Sequence, residues 1–164
     1  MTELRELSGL TDHTGPWDDV ELIGEDLWHR PITRIRGCDL SSDTLQTSGM
    51  SRFEAVSGKT VGSKNLWVGR THVVAGASSG NHHHGEAETV IYIVSGTPRF
   101  VFAEGGPDAW EEIAVDTEPG DFIWVPPFVP HREENPGDNE AVVVISRSTQ
   151  AGIVVNLPDL RPAP

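Results

Sequence analysis

From Pro31 onward the chain alternates short runs of branched and aromatic residues with clusters of Gly, Pro, Asn and Asp. That rhythm predicts many short strands closed by tight turns. The runs fall at Ile32 to Arg36, Ser51 to Ala55, Leu66 to Ala75, Thr89 to Val94 and Arg99 to Ala103. They continue at Trp110 to Val115, Phe122 to Val125, Val142 to Arg147 and Ile153 to Leu157. Turn chemistry separates them at Val56-Ser57-Gly58, at Glu104 to Asp108, at Glu118 to Asp121 and at Asn135 to Asp138. No stretch keeps a helical period, and no repeat is visible. Antiparallel strands that close into a sandwich or barrel hide such a number of edges, so the expected class is all-β.

Before Pro31 the pattern is different. Residues 1–30 are mixed and acidic, with Asp12, Asp18, Asp19, Glu21, Glu25 and Asp26, and carry His13 and His29. They read as an arm laid on a barrel of residues 31–158, with a short strand at Val20 to Ile23. Residues 159–164 read as a loose, proline-rich tail.

Length and charge narrow the field. A chain of 164 residues is one domain long. Its net charge is −13, from 25 acidic and 12 basic residues. An acidic surface repels phosphate backbones and anionic lipid, which argues against nucleic acid and membrane partners. Cys38 stands alone, so neither an intramolecular disulfide nor a thiolate zinc cluster is available. No run reaches the roughly 18 apolar residues of a membrane span. The N-terminus lacks the apolar core of a signal peptide, and the expected location is cytoplasmic.

Two segments concentrate the chemistry. In Asn81-His82-His83-His84-Gly85-Glu86-Ala87-Glu88, an extended backbone sends His82 and His84 to one side and His83 to the other. Two imidazoles on one face, joined by a third group from another strand, suit a transition metal. The second segment, Pro126-Pro127-Phe128-Val129-Pro130-His131, supplies that third group in His131.

These segments resemble the paired motifs of the cupin family. That family spaces Gly, His-x-His, Glu and Gly in one motif, and Gly, Pro-x-Gly, His and Asn in the next. Here the first reads Gly76, five residues, His82-x-His84, three residues, Glu88, seven residues, Gly96. The second reads Gly120, five residues, Pro126-x-Phe128, two residues, His131, three residues, Asn135. The resemblance implies a double-stranded β-helix, a jelly-roll barrel of two antiparallel sheets, with one bound divalent metal and a homodimer.

The chain departs from the motifs twice. Phe128 stands where the family has glycine. The family's glutamate slot falls at Thr89, and Glu88 comes one residue early. A one-residue shift on a strand sends a side chain to the opposite face, which would remove the usual carboxylate ligand. His72 offers a substitute. It shares parity with Leu66, Val68, Arg70 and Val74, expected as the inward face, and stands close in sequence to the histidine turn. The expected metal set is therefore His72, His82, His84 and His131. Two alternatives stay open: His72 as a hydrogen-bonded core histidine, and Glu88 restored to the metal by a bulge after Gly85.

Four neutral ligands leave a metal its full charge and favour polarising a carbonyl, with Zn2+ first and Fe2+ or Ni2+ as alternatives. Bulky residues expected around the mouth (Trp67, Phe100, Phe102, Phe122, Trp124, Phe128) suit an aromatic or polyketide substrate. The chain also resembles the cupin polyketide cyclases of actinobacterial aromatic pathways, the resistomycin cyclase type. That resemblance implies an aldol-type ring closure of a poly-β-ketone chain, with Glu88 and His83 as candidate bases. The alternatives are an iron or nickel cupin dioxygenase acting on an aromatic or diketone, and a non-catalytic ligand-binding cupin.

Overall fold

The computed structural model describes residues 32–162. The expected N-terminal arm, with His13, His29 and the strand at Val20 to Ile23, lies outside the described residues.

Ten strands form two antiparallel five-stranded sheets. The first sheet contains β1 (Met50–Val56), β2 (Trp67–Val73), β9 (Ala141–Arg147), β4 (Thr89–Ser95) and β7 (Phe122–Val125), in that spatial order. The second runs β10 (Val155–Asn156), β3 (His82–His83), β8 (His131–Glu134), β5 (Arg99–Gly106) and β6 (Ala109–Asp116). This is the jelly-roll architecture that the resemblance implied. One helical turn, α1 (Gly58–Val61), follows β1 and is capped by Ser57, whose hydroxyl accepts from the Lys59 and Thr60 amides. Among the described residues, no helix is long and apolar enough to cross a membrane.

Three expectations change. Ile32 to Arg36 is not a strand: it has no sheet partner, and Ile32 lies 89% exposed. The histidine segment and the stretch after His131 pair into β3 and β8, too short to show a period of their own. The tail is not loose throughout, since Leu160 is fully buried.

Alternation along the strands of the first sheet gives it a strict inner face. On β2 the residues inside are Trp67, Gly69, Thr71 and Val73, while Val68, Arg70 and His72 face outward. Their neighbours inside are Ile91 and Ile93 on β4 and Val143 and Ile145 on β9. With Phe100 from the second sheet, these residues make one apolar cluster between the layers. Each fully buried isoleucine contributes about 2 kcal/mol by removal from water. Met50, Val73 and Ala141 form a second cluster. Asn135, at the end of the second motif, is buried beside it and donates to the Val73 and Asn139 carbonyls. It ties the turn after β8 to the end of β2.

Gly69 sits on the inner face because the Trp67 indole fills the place of its side chain. A Cβ there would overlap the ring and stand 3.0 Å from the Phe53 carbonyl oxygen.

Candidate metal centre

His82 and His131 are direct cross-strand partners on β3 and β8, and both point between the sheets. His84 follows on the same side as His82, and His83 points away, as the alternation requires. The three ring centroids lie 4.4 to 5.0 Å apart. Glu133, two residues after His131 on β8, shares its buried face. One ligand atom from each of His82, His84, His131 and Glu133 lies within 4.8 Å of the others.

Hydrogen bonds aim the rings. The Nδ1 of His82 donates to the Gly80 carbonyl at 3.0 Å, and the Nδ1 of His131 donates to the Val129 carbonyl at 2.9 Å. A carbonyl accepts only, so both rings carry a proton on Nδ1, which in the neutral imidazole leaves the lone pair on Nε2. The Nδ1 of His84 lies 2.9 Å from the Thr89 hydroxyl, which serves either tautomer. The Nε2 atoms of His82 and His84 come within 3.2 Å of each other. The Nε2 of His131 is buried with no hydrogen-bond partner among the described residues. Inward lone pairs, an orphaned nitrogen and one carboxylate fit a divalent metal.

Burial lowers the pKa of His82, helped by His131 and opposed by Glu133. Burial lowers His84 to about 2, helped by Arg147, His131, His82 and Arg52. Both rings are held neutral, the form that binds metal.

The remaining expected site residues are elsewhere. His72 stands on the outer face of β2, where its Nδ1 lies 2.9 Å from Glu140 Oε1 and its ring meets Phe53 edge-on. It is not a member of the cluster. The parity that groups His72 with Leu66, Val68 and Val74 does not mark the inner face, since Leu66 and Val74 are about half exposed. Glu88 is exposed and engages Ser148 through its backbone, so no bulge returns it inward. His83 is half-buried, accepts from the Gly85 amide on Nδ1 and lies 5.9 Å from the Phe128 ring. Neither expected base faces the cluster. The carboxylate comes instead from Glu133, a residue the motif spacing does not mark. The signal for it was present in the alternation His131-x-Glu133.

Phe128 keeps the backbone of the glycine it stands for. Its φ is 62°, the one positive value among the described non-glycine residues, and its amide donates to the Gly85 carbonyl. A cavity of about 460 Å³ opens beside the cluster, lined by Phe100, Phe102 and His131 and, on the exposed side of β7, by Phe122 and Trp124.

Residues 69–146 match the family described as Cupin domain. The matched segment is a little under half of the chain, and the two-sheet barrel is of the cupin type. It holds all four clustered residues, and the barrel built around it adds β1, β10 and the start of β2. No curated relative matches the chain by sequence. Among solved structures, the chain is similar to Peruvianin-I, a cysteine peptidase from Thevetia peruviana latex. The identity is 17%, the TM-score 0.60, and the match covers 74% of this chain and 75% of that one. It is similar to a recombinant oxalate oxidase at 18% identity and TM-score 0.59, over 71% of this chain and 58% of the other. An oxalate decarboxylase from Bacillus subtilis matches at 26% identity and TM-score 0.58, over 69% of this chain. The match spans only 29% of that decarboxylase. The first two likenesses show the fold alone.

Proposed function

We propose that the protein is a metal-dependent cupin dioxygenase acting on an aromatic or diketone substrate. The observation that carries this reading is Glu133 beside His82, His84 and His131. A three-histidine, one-carboxylate set lowers the charge left on the ion, in contrast to the four neutral imidazoles expected from sequence. When bound, a redox-active divalent metal would supply oxygen chemistry, and a zinc ion would supply Lewis acidity. The chain's own part is to turn the Nε2 atoms of His82 and His131 inward, to keep His82 and His84 neutral and to bury the ligand side chains. The Bacillus subtilis decarboxylase is described as having Mn(II) centres, which supports testing manganese beside iron and nickel.

The polyketide cyclase is the second reading, favoured by the aromatic lining of the cavity at His131. It loses its expected bases, since Glu88 and His83 face away. The homodimer implied by family resemblance belongs to the same proposal, and a monomeric mass by light scattering would remove it.

Oxygen uptake separates the two chemistries. Protein loaded anaerobically with Fe(II), Mn(II) or Ni(II) is given catechols and β-diketones, and oxygen consumption is recorded. Uptake that disappears in Glu133→Gln supports the dioxygenase. No uptake with any metal, together with ring closure of a poly-β-ketone by the zinc form, would replace it with the cyclase.

A further inference from the structure

We propose that Arg52 and Arg147 form an anion clamp inside the barrel, for the carboxylate of a substrate whose apolar body lies in the cavity beside His131. The inference deepens the functional reading above and rests on it for the metal.

Arg52 lies on the inner face of β1 and Arg147 on the inner face of β9, and each is only 5% exposed. A buried guanidinium ordinarily meets a carboxylate. These two do not. Among the described residues, the ion pairs of arginine involve Arg36, Arg99, Arg132 and Arg161. Arg52 Nη1 donates to neutral acceptors, the Thr47 hydroxyl at 2.7 Å and the Leu45 carbonyl at 3.3 Å. Arg147 lies over the Trp67 ring, 5.4 Å from its centroid. The Nε of each is buried without a partner. Glu54, the nearest candidate on β1, has its two oxygens taken by the Ser57 hydroxyl and the Trp67 indole N–H.

The placement points at the metal centre. Arg147 is the cross-strand partner of Thr89, whose hydroxyl meets His84, and Thr89 is in turn paired with Val125 of the cavity wall. Arg52 enters from β1, on the inner face of the same sheet. Across this part of the inner face, arginine, metal ligand and apolar cavity follow one another.

Charge sets the ligand class. The buried carboxylates do not neutralise these guanidinium groups directly: Glu54 is held by Ser57 and Trp67, and Glu133 stands among the candidate ligands. Two buried guanidinium groups without a partner carboxylate are costly without an anion, with or without metal. A carboxylate offers the planar pair of oxygens that guanidinium forks match. The aromatic lining calls for an apolar body behind it.

Calorimetric titration with 3-phenylpropionate and with its neutral amide tests the clamp, in metal-free and in Mn(II)-loaded protein. The expected result is a preference for the carboxylate of about tenfold or more in both forms, which corresponds to about 1.4 kcal/mol. Arg52→Gln and Arg147→Gln should each reduce that preference severalfold without lowering metal content by elemental analysis. Equal affinity for acid and amide in the metal-free wild type would overturn the clamp, whether or not the variants fold. So would a preference that exists only with metal and is unchanged in Arg147→Gln, because the ion alone would then bind the acid. Failure to load metal, with the preference intact in metal-free protein and lost in the variants, would sink the metal reading and leave the clamp standing.

Discussion

The Thr89 hydroxyl lies 2.9 Å from Nδ1 of His84, and both side chains are closed off from solvent. Thr89 occupies the slot where the cupin resemblance places a glutamate. It turns that slot from a ligand into a support for one. With metal on Nε2, the ring donates from Nδ1 to the hydroxyl, which fixes its orientation. Thr89→Val keeps the shape and removes the acceptor, and should weaken metal binding about 10- to 100-fold in chelator competition. Thr89→Ser should stay close to wild type. Equal affinity in the valine variant would mean that packing alone orients His84.

The carboxylate and the outer histidine give opposite expectations. Glu133→Gln should lower metal affinity on the order of 10-fold or more, since it removes the negative donor while keeping the volume. His72→Ala should leave affinity unchanged, because His72 meets Glu140 on the far side of the sheet. The same competition assay ranks them. Loss of metal in the His72 variant with retention in the Glu133 variant would reverse the assignment.

Acid should destabilise the metal-free protein earlier than carboxylate titration alone requires. In the unfolded chain His82 and His84 titrate near 6.5, whereas burial holds both lower in the fold. Below about pH 6.5 the unfolded state takes up protons that the native state refuses. Stability is therefore complete above that pH and declines below it, toward about pH 2 for His84. The slope is at most about 1.4 kcal/mol per pH unit for each histidine. Urea midpoints of metal-free protein at pH 7.5, 6.5 and 5.5 measure it, and His84→Gln should flatten the profile. A midpoint constant over that range contradicts the neutral pair.

Phe128 holds a left-handed backbone that a side chain disfavours by about 1–2 kcal/mol. Comparing Phe128→Gly with Phe128→Ala isolates that cost, since both lose the ring beside His83. The glycine variant should be the more stable by about 1 kcal/mol in chemical denaturation. If the two unfold together, the backbone there relaxes freely.

The strands were legible where runs of branched and aromatic residues met turns carrying Gly, Pro or Asp, as in β4 and β5. The His82/His84 pair was legible from alternation alone, and His131 from its motif. The inward face of β2 was not, because this sheet is apolar on both sides. Val68, Val90, Tyr92, Val142 and Val144 all lie on the outer face. Hydrophobicity therefore could not tell inside from outside, and His72 was placed with the wrong neighbours. Glu133 escaped for a related reason: a two-residue step on a four-residue strand leaves little pattern to read. Arg52 and Arg147 were invisible because charged residues are normally read as surface.

The indole of Trp67 rests where Gly69 has no side chain, and that same indole holds Glu54 and underlies Arg147. A hydrogen atom where other residues carry a methyl thus acts as a steric key for the barrel's charges. Gly69 is neither one of the four clustered ligand residues nor part of the cavity lining, yet a larger residue there would displace the tryptophan. Glu54 would then keep only its Ser57 hydrogen bond, and Arg147 would lose the ring it lies over. The electrostatics of the centre are governed in part by a position with no chemistry of its own.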